Sequence, residues 1–163
     1  MSRLIAFKSK IEIMDRLQKK IAGWKLLSKK IVFTNGCFDI LHKGHVSYLA
    51  EAADLGDILI VGVNADRSVQ KLKGTSRPIN DEASRCEVLA ALGFVDAVIV
   101  FDEPTPYELI KMIQPDVLVK GGDWKPEEIV GNDIVMAKGG QVLSISFIPG
   151  YSTTLIEKKI KES

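Results

Sequence analysis

The sequence predicts an open, doubly wound α/β sheet of five parallel strands with helices on both faces. Short apolar runs alternate along the chain with segments of helical periodicity, which is the pattern of strand–helix–strand units. The runs are continuous, as is typical of strands covered on both faces. With 163 residues, 46% of them hydrophobic, we expect a single domain over 1–163 with one buried core.

Each element has its own signal. Segment 11–28 places apolar side chains at helical spacing with lysines opposite, which predicts an N-terminal amphipathic helix before an α/β core at 30–163. Five apolar runs predict the strands, at 31–34, 58–63, 98–101, 117–119 and 142–145. Helices are predicted at 45–55, 82–93, 105–114, 132–138 and 153–161. The third of these begins with a capping pattern of Thr105, Pro106 and Glu108.

Composition excludes several classes of function. The net charge of +1 argues against a nucleic-acid or membrane-surface binder that acts through bulk charge. No segment approaches the roughly 20 apolar residues that span a bilayer. The only cysteines, Cys37 and Cys86, have neither disulfide-framework nor zinc-finger spacing, which favours a reduced, cytoplasmic setting. Any anion site must therefore be local.

The stretch NGCFDILHKGHVSYL at 35–49 holds both histidines of the chain, His42 and His45. It follows the first predicted strand, and ligands of such sheets bind beyond the carboxyl ends of strands. Gly36 lets the backbone approach a ligand, and a helix predicted to start near Gly44 would aim its positive end at the same point. The pattern predicts a site that binds phosphate and stabilises the negative charge that develops on it during a reaction. There are two alternatives. One is a structural zinc site, although the chain has no third histidine to complete it, and the other is that both histidines are ordinary capping or core residues.

Gly36-x-Phe38-Asp39-x-x-His42-x-Gly44-His45 resembles the signature of the nucleotidyltransferase superfamily named for its His-x-Gly-His motif. The resemblance implies a Rossmann-like sheet with strand order 3-2-1-4-5. It also implies His42 and His45 as catalytic residues, with Lys43 beside them. The implied nucleotide-binding residues of this stretch are Asn35, Gly36, Cys37, Phe38 and Gly44.

A second stretch, GYSTTLIEKK at 150–159, resembles the Ser/Thr-rich element that opens the last helix in that superfamily. Hydroxyls and free amides at a helix start can bind nucleotide phosphates. Ser152, Thr153 and Thr154 are therefore predicted to bind the nucleotide. A plain capping box of Thr154 and Glu157 is the alternative. Glu157 stands where the superfamily arginine is expected, so Lys158 is a candidate for the missing cation.

Further segments resemble the adenylyltransferase domain of bacterial ADP-heptose synthase over about residues 10–162, without its sugar kinase. They are 64–69, 72–74, 77–78, 116–124 and 126–131. The resemblance implies a stand-alone D-glycero-β-D-manno-heptose 1-phosphate adenylyltransferase, which moves AMP from ATP to the sugar phosphate for lipopolysaccharide core synthesis. It also implies Mg²⁺ held mainly by the ATP phosphates, with no protein metal ligands, and is compatible with a homodimer.

The resemblance assigns further ligands in the loops after the second and fourth strands. Those for the sugar phosphate are Asn64, Asp66, Lys73 and Arg77; those for the nucleotide are Lys120, Gly121, Gly122 and Asp123. Lys71, close to Lys73, is interpreted as a solvent-exposed residue without a role in binding. For segment 120–123, the alternative to a nucleotide-binding role is a simple turn. Arg85 either reaches the phosphates or pairs with Asp81 or Glu82.

The expected mechanism needs no general base, because the attacking sugar phosphate oxygen is already an anion. The protein then has two tasks, which are to position two polyanions and to stabilise the charge of the transition state. Two other functions fit the sequence. One is a cytidylyltransferase acting on glycerol 3-phosphate or a related phosphate, and the other is a non-catalytic nucleotide-binding module.

Overall fold

A computed structural model describes residues 2–163. Its centre is a six-stranded sheet, parallel throughout, in the order β1-β4-β3-β2-β5-β6. The strands are β1 Ile11–Glu12, β2 Ile31–Gly36, β3 Ile58–Asn64, β4 Ala97–Phe101, β5 Val117–Gly121 and β6 Gln141–Ile145. The helices are α1 Arg3–Lys8, α2 Met14–Leu26, α3 Lys43–Ala53, α4 Asp66–Lys73, α5 Glu82–Ala90, α6 Tyr107–Ile113, α7 Asn132–Ala137 and α8 Thr153–Glu162, with a 3₁₀ turn at Pro126–Glu128.

Helices cover both faces of the sheet, as the continuous apolar strands predict. Neighbouring strand residues point to opposite faces. Ile31 and Phe33 of β2 therefore pack in the core that α2, α6 and α7 cover, while Val32 between them packs in the core that α3 and α5 cover. This arrangement leaves the carboxyl ends of the central strands β2, β3 and β5 free to carry a site.

The predicted number of five strands is wrong. The five predicted strands lie in the expected relative order, and β1 adds a sixth at the edge, where Ile11 and Glu12 pair with Val98 and Ile99 of β4. The apolar spacing of segment 11–28 hid this two-residue strand, because its residues also fit a helical pattern. In the structure the helix predicted at 11–28 is shorter, beginning at Met14 and ending at Leu26. Sequence reasoning also missed α1, whose Leu4 and Ile5 are exposed and leave no amphipathic signal.

Three local expectations also differ from the structure. Residues 66–73, read as part of a polar loop, form α4, which buries Ser68 and Val69. Helix α6 begins at Tyr107 after an N-cap Pro106 that has no side-chain cap, so Thr105 caps nothing. Ser152, not Thr154, caps α8 by accepting from the amide of Leu155 at 3.1 Å.

None of the helices in residues 2–163 has both the length and the apolar character needed to cross a bilayer.

Candidate active site

A cleft of about 190 Å³ opens at the carboxyl ends of the neighbouring strands β2 and β5. Predicted ligands from five segments line it: the turn after β2, the start of α3, the end of α4, the end of β5 and the start of α8. The lining residues are Asn35, Gly36, Cys37, Phe38, Asp39, His45, Tyr48, Lys73, Lys120, Gly121, Phe147 and Thr153. The fold thus brings both sequence motifs, which lie more than 100 residues apart, to one site.

The two histidines stack on each other at the start of α3. His42 is the N-cap residue, and its Nδ1 accepts a hydrogen bond from the amide of Gly44 at 3.1 Å. A neutral imidazole that accepts at Nδ1 carries its proton on Nε2, so His42 keeps one N–H donor free. The His45 ring stacks on it with a centroid separation of 3.9 Å and an angle of 29° between the ring planes, and Phe38 contacts His45 edge-on.

The surroundings keep both rings neutral. Burial, the adjoining His42 ring and the Lys73 ammonium lower the pKa of His45 to about 4, although a backbone hydrogen bond with Ile40 acts in the opposite direction. Burial also lowers the pKa of His42. Within residues 2–163, the buried Nδ1 of His45 has no hydrogen-bond partner. The pair therefore offers hydrogen bonds to a ligand without adding positive charge.

Positive charge in the cleft comes from lysines. Lys73 projects from the last turn of α4 and Lys120 from the end of β5. Asp39 is the one carboxylate among the lining residues, and its oxygens accept from the amides of Ile79 and Asn80 at 2.9 and 2.8 Å. With its one carboxylate engaged in this way, the cleft presents two lysine ammonium groups that suit phosphate groups.

Asp39 is the anchor of the 77–80 segment. Burial by itself would raise the pKa of its carboxyl, but the amides of Asn80 and Ile79 and the Arg77 guanidinium outweigh burial and hold the pKa below its usual value. The Nε of Arg77 donates to Asp39 at 2.6 Å. Because this carboxylate is already fully engaged, we assign it a structural role at the wall of the cleft.

Arg77, expected to meet the substrate phosphate, lies outside the cleft lining and instead links Asp39 of the cleft wall to an acidic residue of α8. Its guanidinium pairs with Asp39 on one side and with Glu157 of α8 on the other. Glu157 thus has a partner that sequence spacing does not reveal, since the two residues lie 80 positions apart. Lys158, the candidate substitute for the superfamily arginine, is exposed and pairs with Glu162 on the same helix.

Helix α8 depends on this link for its position. None of its residues is buried, so little apolar packing fixes it to the domain. Thr153 in its first turn nevertheless lines the cleft, while Ser152 is used as the cap and Thr154 lies outside the lining. The Arg77–Glu157 ion pair therefore fixes the helix that carries Thr153.

Arg85 is the buried centre of the hydrogen-bond network that supports the cleft wall. Sequence reasoning named Arg85 but missed this role. Its side chain is fully buried and pairs with Asp66 at 2.8 Å, rather than with Asp81 or Glu82. It also donates to three backbone carbonyls, those of Cys37 at 2.6 Å, Asn64 at 2.8 Å and Asn80 at 3.0 Å. One guanidinium thus ties together the turns after β2 and β3 and the 77–80 segment.

The expected ligands Asn64 and Asp66 belong to that hydrogen-bond network and lie outside the cleft lining. The side-chain amide of Asn64 donates to Ser68 at 3.2 Å and its oxygen lies 3.9 Å from the Cys37 thiol. Asp66 engages Arg85 through its carboxylate and Glu82 through its amide. Both residues shape the end of β3 beside the cleft.

The glycines after β5 allow aromatic rings to lie against the backbone. A Cβ on Gly121 would stand 2.6 Å from the ring of Phe147, and one on Gly122 would stand 3.1 Å from the indole of Trp124. Gly122 also has φ +111, which disfavours other residues. Asp123 is exposed, accepts from the hydroxyl of Ser146 at 2.9 Å and does not line the cleft.

Sequence reasoning missed two aromatic residues of the cleft, Tyr48 and Phe147. Tyr48 lies one turn after His45 on α3, and that spacing is the signal that could have found it. Its hydroxyl bonds to Thr34, and burial raises its pKa to about 12. Phe147 contacts Tyr48 edge-on with a centroid separation of 5.8 Å, but it follows β6 in an irregular segment with no distinctive pattern.

Lys43 points toward Tyr151, and of the two histidines around it only His45 is among the residues that line the cleft. Its ammonium lies 5.0 Å from the centroid of the Tyr151 ring, a cation–π contact, and it is absent from the cleft lining. Gly44 is also outside the lining, but a Cβ there would stand 3.0 Å from the His42 ring, so a larger residue would crowd the cap. Gly44 thus belongs to the His42 cap, and Lys43 contacts the turn before α8.

Known proteins resemble this chain in sequence and in fold. The family model described as cytidylyltransferase-like matches residues 33–159. The bifunctional protein HldE of Campylobacter curvus is 58% identical over 135 residues, which are 83% of this chain and 28% of that protein. HldE of Geobacter metallireducens is 53% identical over 152 residues, 93% of this chain and 31% of that protein. The chain thus spans about a third of the length of these curated relatives.

Two solved structures are also similar. A lipopolysaccharide core biosynthesis protein from Thermoplasma volcanium is 31% identical with a TM-score of 0.59, covering 74% of this chain and 97% of that one. Pantoate-beta-alanine ligase from Francisella tularensis has a TM-score of 0.61 over 94% of this chain and 78% of that one, but its 16% identity shows the fold alone. With its family model covering most of the sequence, the chain belongs to the cytidylyltransferase-like family of nucleotidyltransferases.

Proposed function

We propose that the chain transfers AMP from ATP to D-glycero-β-D-manno-heptose 1-phosphate, giving ADP-heptose and pyrophosphate for lipopolysaccharide core synthesis. The main support is the stacked, neutral pair His42 and His45 beside a cleft lined by Lys73 and Lys120. The high identity to bifunctional HldE proteins and the likeness to a lipopolysaccharide core biosynthesis protein support the choice of pathway.

In the proposed reaction, a phosphate oxygen of the sugar attacks the α-phosphorus of ATP. A new P–O bond forms in line with the breaking bond to the bridging oxygen, and pyrophosphate leaves with that electron pair. The nucleophile is anionic, so no proton has to be removed from it. Catalysis then depends on alignment and on donors aimed at the charge of the transition state.

The donors have separate tasks. His42 through Nε2 and His45 through its ring donate to the α-phosphoryl oxygens, where charge builds up as the bond to pyrophosphate breaks. Lys73 and Lys120 balance the charge of the two phosphate-bearing substrates. Thr153 and the free amides at the start of α8 bind the outer phosphates.

Magnesium fits this scheme as a partner of ATP. Residues 2–163 contain no group of three or more His, Cys, Asp or Glu side chains placed to hold a metal ion. Asp39 in the cleft wall is occupied by Arg77 and two amides. We therefore propose that phosphate oxygens and water hold Mg²⁺, as is usual for this ion with nucleotides.

An assay of pyrophosphate release tests the proposal. ATP and CTP are each combined with the heptose 1-phosphate, with another sugar 1-phosphate and with glycerol 3-phosphate. We expect turnover with ATP and the heptose phosphate to exceed the other combinations. Preference for CTP with glycerol 3-phosphate would support the alternative cytidylyltransferase, and no turnover with any pair would leave a nucleotide-binding module.

Loss of the Arg77–Glu157 ion pair should loosen α8. We expect Glu157→Ala to raise KM for ATP about 3- to 10-fold, because a partly buried charged hydrogen bond contributes about 1 kcal/mol and the helix carrying Thr153 loses its tether. The effect on kcat should be smaller. Amide hydrogen exchange of residues 153–157 should become faster in the variant.

Glu162→Ala is the matched control, since it removes an exposed pair with Lys158 on the same helix. Exposed i,i+4 pairs contribute little, so both readouts should remain at the wild-type value. Unchanged exchange in Glu157→Ala would show that the ion pair does not hold the helix.

A further inference from the structure

A second compartment adjoins the cleft at the ends of β2 and β5. It measures about 150 Å³ and shares Asn35 and Lys120 with the cleft. Its other walls come from Trp124, the 3₁₀ turn that ends at Glu128, the following Ile129 and Val130, and Pro106 before α6. Together the two spaces fall at the lower end of the volume range of small-molecule sites, about 300–1,000 Å³.

We propose that this compartment binds the sugar ring of the acceptor, with Trp124 and Glu128 as the residues that select a sugar phosphate. The inference rests on the proposed function and names where its second substrate lies. Lys120 stands at the boundary, so the phosphate on the sugar would meet its ammonium. The ring would then extend away from the histidines into the second compartment.

The indole of Trp124 is held in place from two sides. Its Nε1 donates to the carbonyl of Gly121 at 3.1 Å, and its backbone amide donates to the hydroxyl of Ser144 at 3.1 Å. Half of its surface remains exposed although its polar atom is already bonded. A fixed aromatic face with no free polar group suits the C–H face of a pyranose ring, whose hydrogens carry partial positive charge.

Glu128 supplies the polar side of the compartment. Its side chain is exposed and, within residues 2–163, lacks an ion-pair partner within 4 Å. A carboxylate only accepts hydrogen bonds, so it suits a ligand rich in hydroxyl donors. Adenine offers one donor group, its N6 amino group, and its ring nitrogens are acceptors that would face the carboxylate unfavourably, whereas a sugar offers several hydroxyl donors. The chemistry of this compartment thus favours the sugar over the nucleobase.

Steady-state kinetics with Mg-ATP and D-glycero-β-D-manno-heptose 1-phosphate test the assignment. We expect Trp124→Ala and Glu128→Gln each to raise KM for the sugar phosphate about tenfold, the equivalent of one lost aromatic or charged contact. KM for ATP should stay within about twofold of the wild-type value. Trp124→Phe keeps an aromatic face and should retain most of the sugar affinity.

Glu127→Gln is the matched control, because Glu127 is exposed on the same turn and does not line the compartment. Thermal unfolding of every variant checks folding, and Glu128→Gln carries the test if Trp124→Ala does not fold. A rise in KM for ATP alone, or an unchanged KM for the sugar phosphate, would overturn the assignment while leaving the proposed function intact. A wild-type protein that turns over no sugar 1-phosphate would overturn both.

Discussion

Replacing His45 by alanine is expected to lower kcat by about two to three decades, as the loss of one donor to a transition-state oxyanion typically does. His45 is a neutral ring at the cleft wall, stacked on His42 and contacted edge-on by Phe38. Its hydrogen bond strengthens only as charge develops, so KM for ATP should change little. Single-turnover rates and calorimetric titration with ATP measure the two effects separately.

The double replacement of His42 and His45 by alanine is the informative comparison. Because the two rings act on one developing charge, we expect the double variant to lose little more than either single variant. Circular dichroism should show that the helix start survives, although His42 also caps α3. A kcat within about threefold of wild type in His45→Ala would remove the histidine from the mechanism.

Replacing Arg85 by methionine is expected to give the largest loss of stability. The substitution preserves much of the side-chain volume but leaves the carbonyls of Cys37, Asn64 and Asn80 and the carboxylate of Asp66 without their donor. Removing one partner of a buried charged network typically costs about 3–5 kcal/mol. Urea denaturation should therefore show a lower free energy of unfolding, and activity should fall as the turn after β2 loses its support.

Arg67→Met provides the control for the loss of an arginine in the same region. Arg67 lies on α4 and pairs with Asp102 at the surface, with its side chain 74% exposed. Exposed ion pairs contribute at most about 1 kcal/mol, so this variant should unfold close to wild type. Equal losses in the two variants would mean that Arg85 is not the centre of the hydrogen-bond network.

The sequence predicts the elements whose signal is local. Continuous apolar runs locate β2 to β6, and the reason is clearest for β2, β3 and β4, which are buried on both faces and are therefore apolar along most of their length. The motif around His42 and His45 locates the start of α3 and the turn after β2, since glycines and a cap are required there. These features depend only on residues that are close to one another in the sequence.

Features that depend on distant contacts escaped prediction. The two-residue strand β1 exists only because β4 offers it an edge, and its spacing resembles that of a helix. Arg77 and Glu157 are each ambiguous in the sequence, and their roles follow from a contact between a loop and α8. Arg85 was expected to reach the phosphates or to pair with Asp81 or Glu82, and its actual partners in the turns after β2 and β3 lie far from it in sequence.

A crystal structure with a non-hydrolysable ATP analogue and Mg²⁺ tests most directly whether the two histidines act on the α-phosphate. We expect an α-phosphoryl oxygen at about 2.7–3.2 Å from Nε2 of His42, with the His45 ring within the same range. The outer phosphates should lie near Thr153 and the start of α8. A triphosphate bound away from both imidazoles would contradict this mechanism.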